Sequence, residues 1–140
     1  MIYVLDTCVI SEFAKQNPAQ EVVDWVVKQS NSDLFVSALS LGKIEKGISR
    51  LPDSSKKKFL ITWFQNDFLK RFEYRILTLD AATALKWGSL SASLESSGRK
   101  LPVVDGLIAA TVLVHNGILV TRNEVDFVPT GVAIINPWKF

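Results

Sequence analysis

Short apolar runs alternate with longer amphipathic ones along this chain, and that alternation predicts its architecture. Ile2-Tyr3-Val4-Leu5 is apolar throughout and too short for a helix, the pattern of a strand buried on both faces. Asn17-Pro18-Ala19-Gln20 then offers an N-cap, a first-turn proline and a glutamine at the third helical position, so a helix carrying Val22, Val23, Val26 and Val27 is expected to start there. Leu34-Phe35-Val36 reads as a second strand. A helix predicted from Ser40 to about Arg50 stops ahead of Pro52, and Asp53 is placed to cap another through Phe59, Leu60, Trp63, Phe64 and Phe68. Arg75-Ile76-Leu77-Thr78-Leu79 is a third strand; Asp80 caps a helix with Ala84, Leu85, Trp87, Leu90 and Leu94 that ends near Gly98. Pro102 introduces a helix through Leu107, Ile108, Ala110 and Val112, which Gly117 closes, and Ile118-Leu119-Val120-Thr121 and Val132-Ala133-Ile134-Ile135 supply the last strands. Strands separated by helices imply an α/β fold: a mostly parallel sheet of about five strands with helices on both faces.

Composition narrows this to one domain over residues 1–140, because 48% apolar residues in a chain of 140 can bury a core unaided. The single cysteine, Cys8, cannot form an internal disulfide, and MIYVLD runs directly into a strand with no basic leader, so a reducing cytoplasmic location is expected. No apolar run approaches the roughly 20 residues of a membrane span. A net charge of +2 permits a nucleic-acid partner without arguing for one.

The candidate chemistry lies in the aspartates. Ligands of open parallel sheets collect beyond the carboxyl ends of the strands. Asp6 follows the first strand, Asp126 follows the fourth after the turn Thr121-Arg122-Asn123, and Asp105 stands in the first turn of the helix leading into that fourth strand. Such oxygen ligands suit Mg²⁺ or Mn²⁺. Each also has an ordinary structural role available: Asp6 as a cap, Asp105 as a first-turn acid, Asp126 as a turn former. Their common topological position favours a shared site, one in which the three carboxylates hold one cation or its water shell.

Four segments in order carry a resemblance: Leu5-Asp6-Thr7; Leu41-Gly42-Lys43-Ile44-Glu45-Lys46-Gly47; Asp105-Gly106-Leu107-Ile108-Ala109-Ala110; and Thr121-Arg122-Asn123 with Asp126-Phe127 and Asn136-Pro137-Trp138. Together they resemble the signature of PIN-domain ribonucleases, nearest to the VapC and FitB-type toxins of type II toxin-antitoxin pairs. The resemblance implies a PIN fold and Mg²⁺-dependent endonucleolytic cleavage of RNA. It also implies Asp6, Asp105 and Asp126 as metal-binding acids supported by Thr121 and Asn123, an antitoxin that occludes the site, and operator DNA reached only through that antitoxin. Carboxylates that hold Mg²⁺ can acidify a water and stabilise charge on a phosphate, and that chemistry needs no histidine. His115, late in a helix, is expected in a C-terminal surface role.

One departure from the family pattern bears on activity. Where the family carries a glutamate four residues before the glycine of its second motif, this chain has Lys43. Glu45 differs from it by roughly 200° around a helix and points elsewhere. A lysine in the first turn of a helix opening at Ser40 works against the helix dipole unless its ammonium reaches the aspartates, where it would take part of the cation's place. The expectation is a PIN site impaired by Lys43. The alternative is a catalytically silent PIN protein acting as an antitoxin-binding module. A phosphatase or nucleotide-binding α/β reading is weaker, because Cys8 stands where a second aspartate is needed and no glycine-rich loop follows the first strand. Lys56-Lys57-Lys58, Lys70-Arg71 and Arg99-Lys100 are either solvated faces or RNA contacts. The surplus of large apolar residues between 53 and 97 predicts a homodimer or an antitoxin interface there.

Overall fold

In the computed structural model, which describes residues 1–140, five strands form one fully parallel sheet. They are β1 (Tyr3–Leu5), β2 (Leu34–Ser37), β3 (Ile76–Leu77), β4 (Ile118–Val120) and β5 (Ala133–Ile135), ordered β3-β2-β1-β4-β5. Alternate side chains divide between two cores, as a period of two demands. Leu5, Val36 and Val120 enter one core, while Val4 and Leu119 enter the other. The first core is closed by α1 (Thr7–Glu12), α2 (Gln20–Lys28) and the aromatic helices; the second is closed by α7 (Val103–Val114) and α8 (Glu124–Phe127). Helices therefore cover both faces. The remaining helices are α3 (Ala38–Ser49), α4 (Ser55–Thr62), α5 (Leu69–Arg71) and α6 (Ala81–Ser96).

Several boundaries differ from the sequence expectation, each because a different side chain wins the cap. α1 has no counterpart among the predicted helices: it is six residues long, and Asp6 both ends the strand and caps the helix by accepting from the Thr7 N–H at 2.8 Å. Asn17 caps nothing. The N-cap of α2 is Ala19, whose N–H is taken instead by the buried carboxylate of Glu12, seven residues upstream, at 2.9 Å. α3 opens from Ser37 rather than Ser40, because the Ser37 hydroxyl accepts from the Leu39 N–H at 3.1 Å. α4 is capped by Ser54 through the Lys57 N–H, while Asp53 lies in solvent facing the Lys57 ammonium. Asp80 does cap α6, and Gly98, at φ +73°, ends it by donating to the Glu95 carbonyl.

α4 and α5 are joined by a π-helical stretch, Trp63–Phe68, so the predicted aromatic helix is continuous but locally widened. Phe64, Phe68 and Phe72 align along it, with ring centroids 6.0 and 4.7 Å apart, and all three are buried. β3 is two residues rather than five, as befits an edge strand. At the opposite end of the sheet, Gly117 lets the chain pass close beneath β1, since a Cβ there would stand 3.0 Å from the Ile2 carbonyl oxygen.

Candidate functional site

With β1 central, its neighbours β2 and β4 lead the chain away in opposite directions, which makes the β1/β4 boundary the topological switch point. The carboxyl ends of those two strands are Leu5 and Val120. Asp6 and Thr121 follow them directly and meet: the buried Thr121 hydroxyl donates to Asp6 Oδ2 at 2.8 Å. Asn123 completes a chain of bonds by donating its N–H to Thr121 Oγ1 at 3.0 Å. Asp6 is thus held at both oxygens, Oδ1 by the Thr7 N–H and Oδ2 by Thr121.

Two helices bring residues to the same edge. Just after α7 the chain passes Ile2, at the amino end of β1, where the Ile118 N–H donates to the Ile2 carbonyl at 2.8 Å. Twelve residues rise about 18 Å, so the first turn of α7 stands at the carboxyl edge. Asp105 is in that turn. α3 leaves the carboxyl end of β2 and contributes Lys43, whose ammonium donates to Asp105 Oδ1 at 3.2 Å. Asp6, Thr7, Cys8, Lys43, Asp105, Arg122 and Asn123 line one cleft of about 370 Å³.

The expected triplet is divided. Asp6 and Asp105 face the common cleft, whereas Asp126 on α8 lies at an adjoining hollow with Arg99 and Lys100. Its carboxylate is held by the Asn123 side-chain amide at 2.9 Å. No three Asp, Glu, His or Cys side chains come close enough together to form a metal cage, because Asp126 is turned to Asn123 and Asp105 to Lys43. The placement of Lys43 also corrects its expected register. Since α3 opens at Ser37, Lys43 is in the second turn, where the dipole no longer acts strongly, and Asp105 alone accounts for its direction. Glu45 is exposed and reaches only Ser49.

Cys8 sits against the site. Its Sγ is 3.6 Å from Thr121 Oγ1 and accepts the Arg122 N–H at 3.5 Å. Burial pushes the thiol up, the Arg122 N–H and the Thr121 hydroxyl pull it back, and the Asp6 charge adds to the rise. His115 ends α7 with Nδ1 2.8 Å from the Thr111 carbonyl, a helix-end role remote from the cleft. Lys57 is likewise structural: its ammonium donates to the Ser49 and Leu51 carbonyls at 3.3 and 3.0 Å, closing the end of α3.

Two residues acquire a role that the sequence pattern does not assign them. Arg122 belongs to the turn after β4 and Trp138 to the tail, yet the Arg122 guanidinium lies over the Trp138 ring at 4.1 Å. The tail is fixed for this by Asn136, which accepts from the Trp138 N–H at 3.0 Å and donates to Glu124 Oε2 at 2.9 Å. A cation directly after a strand end is the available signal for Arg122. The Asn136-Pro137-Trp138 segment stands out in the sequence, but nothing there pairs Trp138 with Arg122, sixteen residues upstream.

A parallel five-stranded sheet with acidic side chains gathered at its switch point places the chain among the α/β proteins that act at the carboxyl edge of the sheet. More narrowly, it belongs to the PIN domain family, matching it over residues 3–128, and to the branch that includes the VapC and FitB toxins. It is 31% identical over 136 residues to the VapC ribonuclease Y4jK of Sinorhizobium fredii (strain NBRC 101917 / NGR234), covering 97% of each. It is 31% identical over 135 residues to toxin FitB of Neisseria gonorrhoeae (strain ATCC 700825 / FA 1090), covering 96% of this chain and 97% of that protein. The fold superposes on the structure of FitAB bound to an IR36 DNA fragment with a TM-score of 0.91 at 31% identity, spanning 98% of this chain and 96% of that one.

Proposed function

We propose that this chain is the toxin of a type II toxin-antitoxin pair, a metal-dependent endoribonuclease whose cleft is restrained by Lys43. The observation that carries the reading is the Lys43–Asp105 ion pair inside the acidic cleft at the switch point. Its relatives' names, VapC ribonuclease and toxin FitB, support the same class.

The donor set fits a hard cation in chemistry, since every candidate ligand is oxygen. It falls short in number, with two carboxylates in the cleft and a third beside it. Asp6 and Asp105 are the residues that would hold Mg²⁺ or Mn²⁺, with Asp126 joining through the Asn123 side. When bound, such an ion supplies an acidified water and charge neutralisation at the phosphate. The chain's own contribution is orientation. Thr121, braced by Asn123, fixes the Asp6 carboxylate, so the acid meets RNA in one geometry. Lys43 neutralises Asp105 and thereby weakens the attraction for a cation.

The test compares this chain with Lys43→Glu on single-stranded RNA across a Mg²⁺ titration. Lys43→Glu is expected to cleave faster, by at least about tenfold, and at lower Mg²⁺, because a cation is replaced by a ligand. Equal rates with the same Mg²⁺ dependence would remove Lys43 from the argument. The second reading, a silent PIN module that captures antitoxin and reaches operator DNA only through it, rests on the same ion pair. It prevails if neither protein cuts RNA. The reading includes a homodimer formed through α6.

A further inference from the structure

The carboxylates around the cleft are engaged one by one. Asp6 accepts from Thr7 and Thr121, Asp105 from Lys43, and Asp126 from Asn123. Glu124 accepts from Lys139 and Asn136, and Glu12 from Lys15 and the Ala19 N–H. Arg122 stands among them, exposed at the cleft wall. Its backbone N–H is bonded to Cys8, but its guanidinium takes no part in the ion pairs, all of which use other cations. It makes no ion pair, though its charge helps to hold the Glu12 carboxyl below its usual value, and its guanidinium lies over the face of Trp138 at 4.1 Å. The ring holds the guanidinium at the cleft wall, and its N–H groups donate to no acceptor within the chain, which leaves them for two oxygens of one phosphate.

We propose that Arg122, laid on Trp138 at the wall of the acidic cleft, binds a backbone phosphate of the RNA beside the bond that is cut. This rests on the ribonuclease reading and deepens it by naming a substrate-binding residue. Lys43 is taken up by Asp105, so Arg122 is the cation of the cleft left to meet the strand. Trp138 is a positioning residue that acts through Arg122. Its indole N–H is buried and unbonded, so only its face contributes to this role.

The experiment measures binding of a fluorescent single-stranded RNA with Ca²⁺ in place of Mg²⁺, over a range of KCl concentrations, for the full chain and its variants. Arg122→Ala is expected to weaken binding by about tenfold or more, the loss of one charge-assisted contact. It should also flatten the slope of log affinity against log salt by about 0.7, the value for one phosphate on a single strand. Arg122→Lys should keep the slope and lose part of the affinity. Trp138→Phe should bind as the parent does. Trp138→Leu should lose affinity at unchanged slope, with urea unfolding used to confirm that it is folded at the temperature of the assay. Arg122→Ala with the parent's affinity and slope overturns the proposal while leaving the ribonuclease reading in place. A parent that binds no RNA overturns that reading and the proposal with it. If Arg122→Ala keeps RNA binding and loses antitoxin instead, Arg122 is a partner anchor and the proposal is wrong.

Discussion

Glu12 shows how one side chain can replace a local signal. It is only 3% exposed, and it ties the end of α1 to the start of α2 by accepting from the Ala19 N–H and pairing with Lys15. Burial pushes its carboxyl up, but the Lys15 and Ala19 bonds outweigh that and hold it below the usual glutamate value. A depressed carboxylate contributes stability that is full above the unfolded-state value, about 4.3, and is lost as pH falls through the lower folded one. Glu12→Ala should therefore cost about 2 kcal/mol near neutral pH, the worth of a buried charge-assisted bond. Urea unfolding should show the gap between the two proteins closing below about pH 4. A gap that stays constant into acid would mean that the loss is packing rather than charge. The same residue explains why Asn17-Pro18 misleads as a helix start: a cap supplied from seven residues upstream leaves no mark in the window where caps are sought.

Among the elements, those that bury a long apolar run were legible and those set by one polar bond were not. Each predicted strand has a counterpart, because apolar runs of three or four residues between turn signals have few other uses. The first turn of α7 could be placed by topology alone, and Asp105 with it. The side of α8 that Asp126 occupies could not, since it depends on the Asn123 amide. The apolar reading of α6 also needs correction in detail. Leu94 is buried, but Leu85 is 75% exposed, and Ala81, Ala84, Gly88 and Ala92 share its exposure at helical spacing. An exposed stripe of small and apolar residues is poor at holding water and suits close approach of another helix. We therefore expect a homodimer in which α6 meets a second copy, and light scattering should report twice the chain mass for this protein and the chain mass for Leu85→Asp. A parent that is monomeric at high concentration would sink the idea.

Across the whole molecule, Lys43 belongs to two concavities. Besides the acidic cleft it lines a groove of about 930 Å³ between α1, α3 and α4, whose lining includes Phe13, Ile44, Ile48, Leu60 and Trp63. Phe59, 58% exposed, stands in its wall, and Lys15 and Lys56 add positive charge. An apolar trough with basic residues along it fits an amphipathic segment bearing acidic side chains, the mode in which a helix lays its apolar face into a groove. Under the proposed toxin reading, this groove is where the antitoxin is expected to sit. A segment seated there would touch Lys43, which lines both concavities, and would reach the Asp105 pair without entering the cleft. Phe59→Glu should then weaken antitoxin binding by at least about tenfold, the cost of a central apolar anchor replaced by a charge that must be desolvated. RNA binding through the cleft and Arg122 should be unchanged, because Phe59 does not line that cleft. Calorimetry with the purified antitoxin and the RNA titration described above separate the two effects. If Phe59→Glu holds antitoxin as tightly as the parent does, the groove is not the antitoxin site, and Lys43 joins two surfaces that do not communicate.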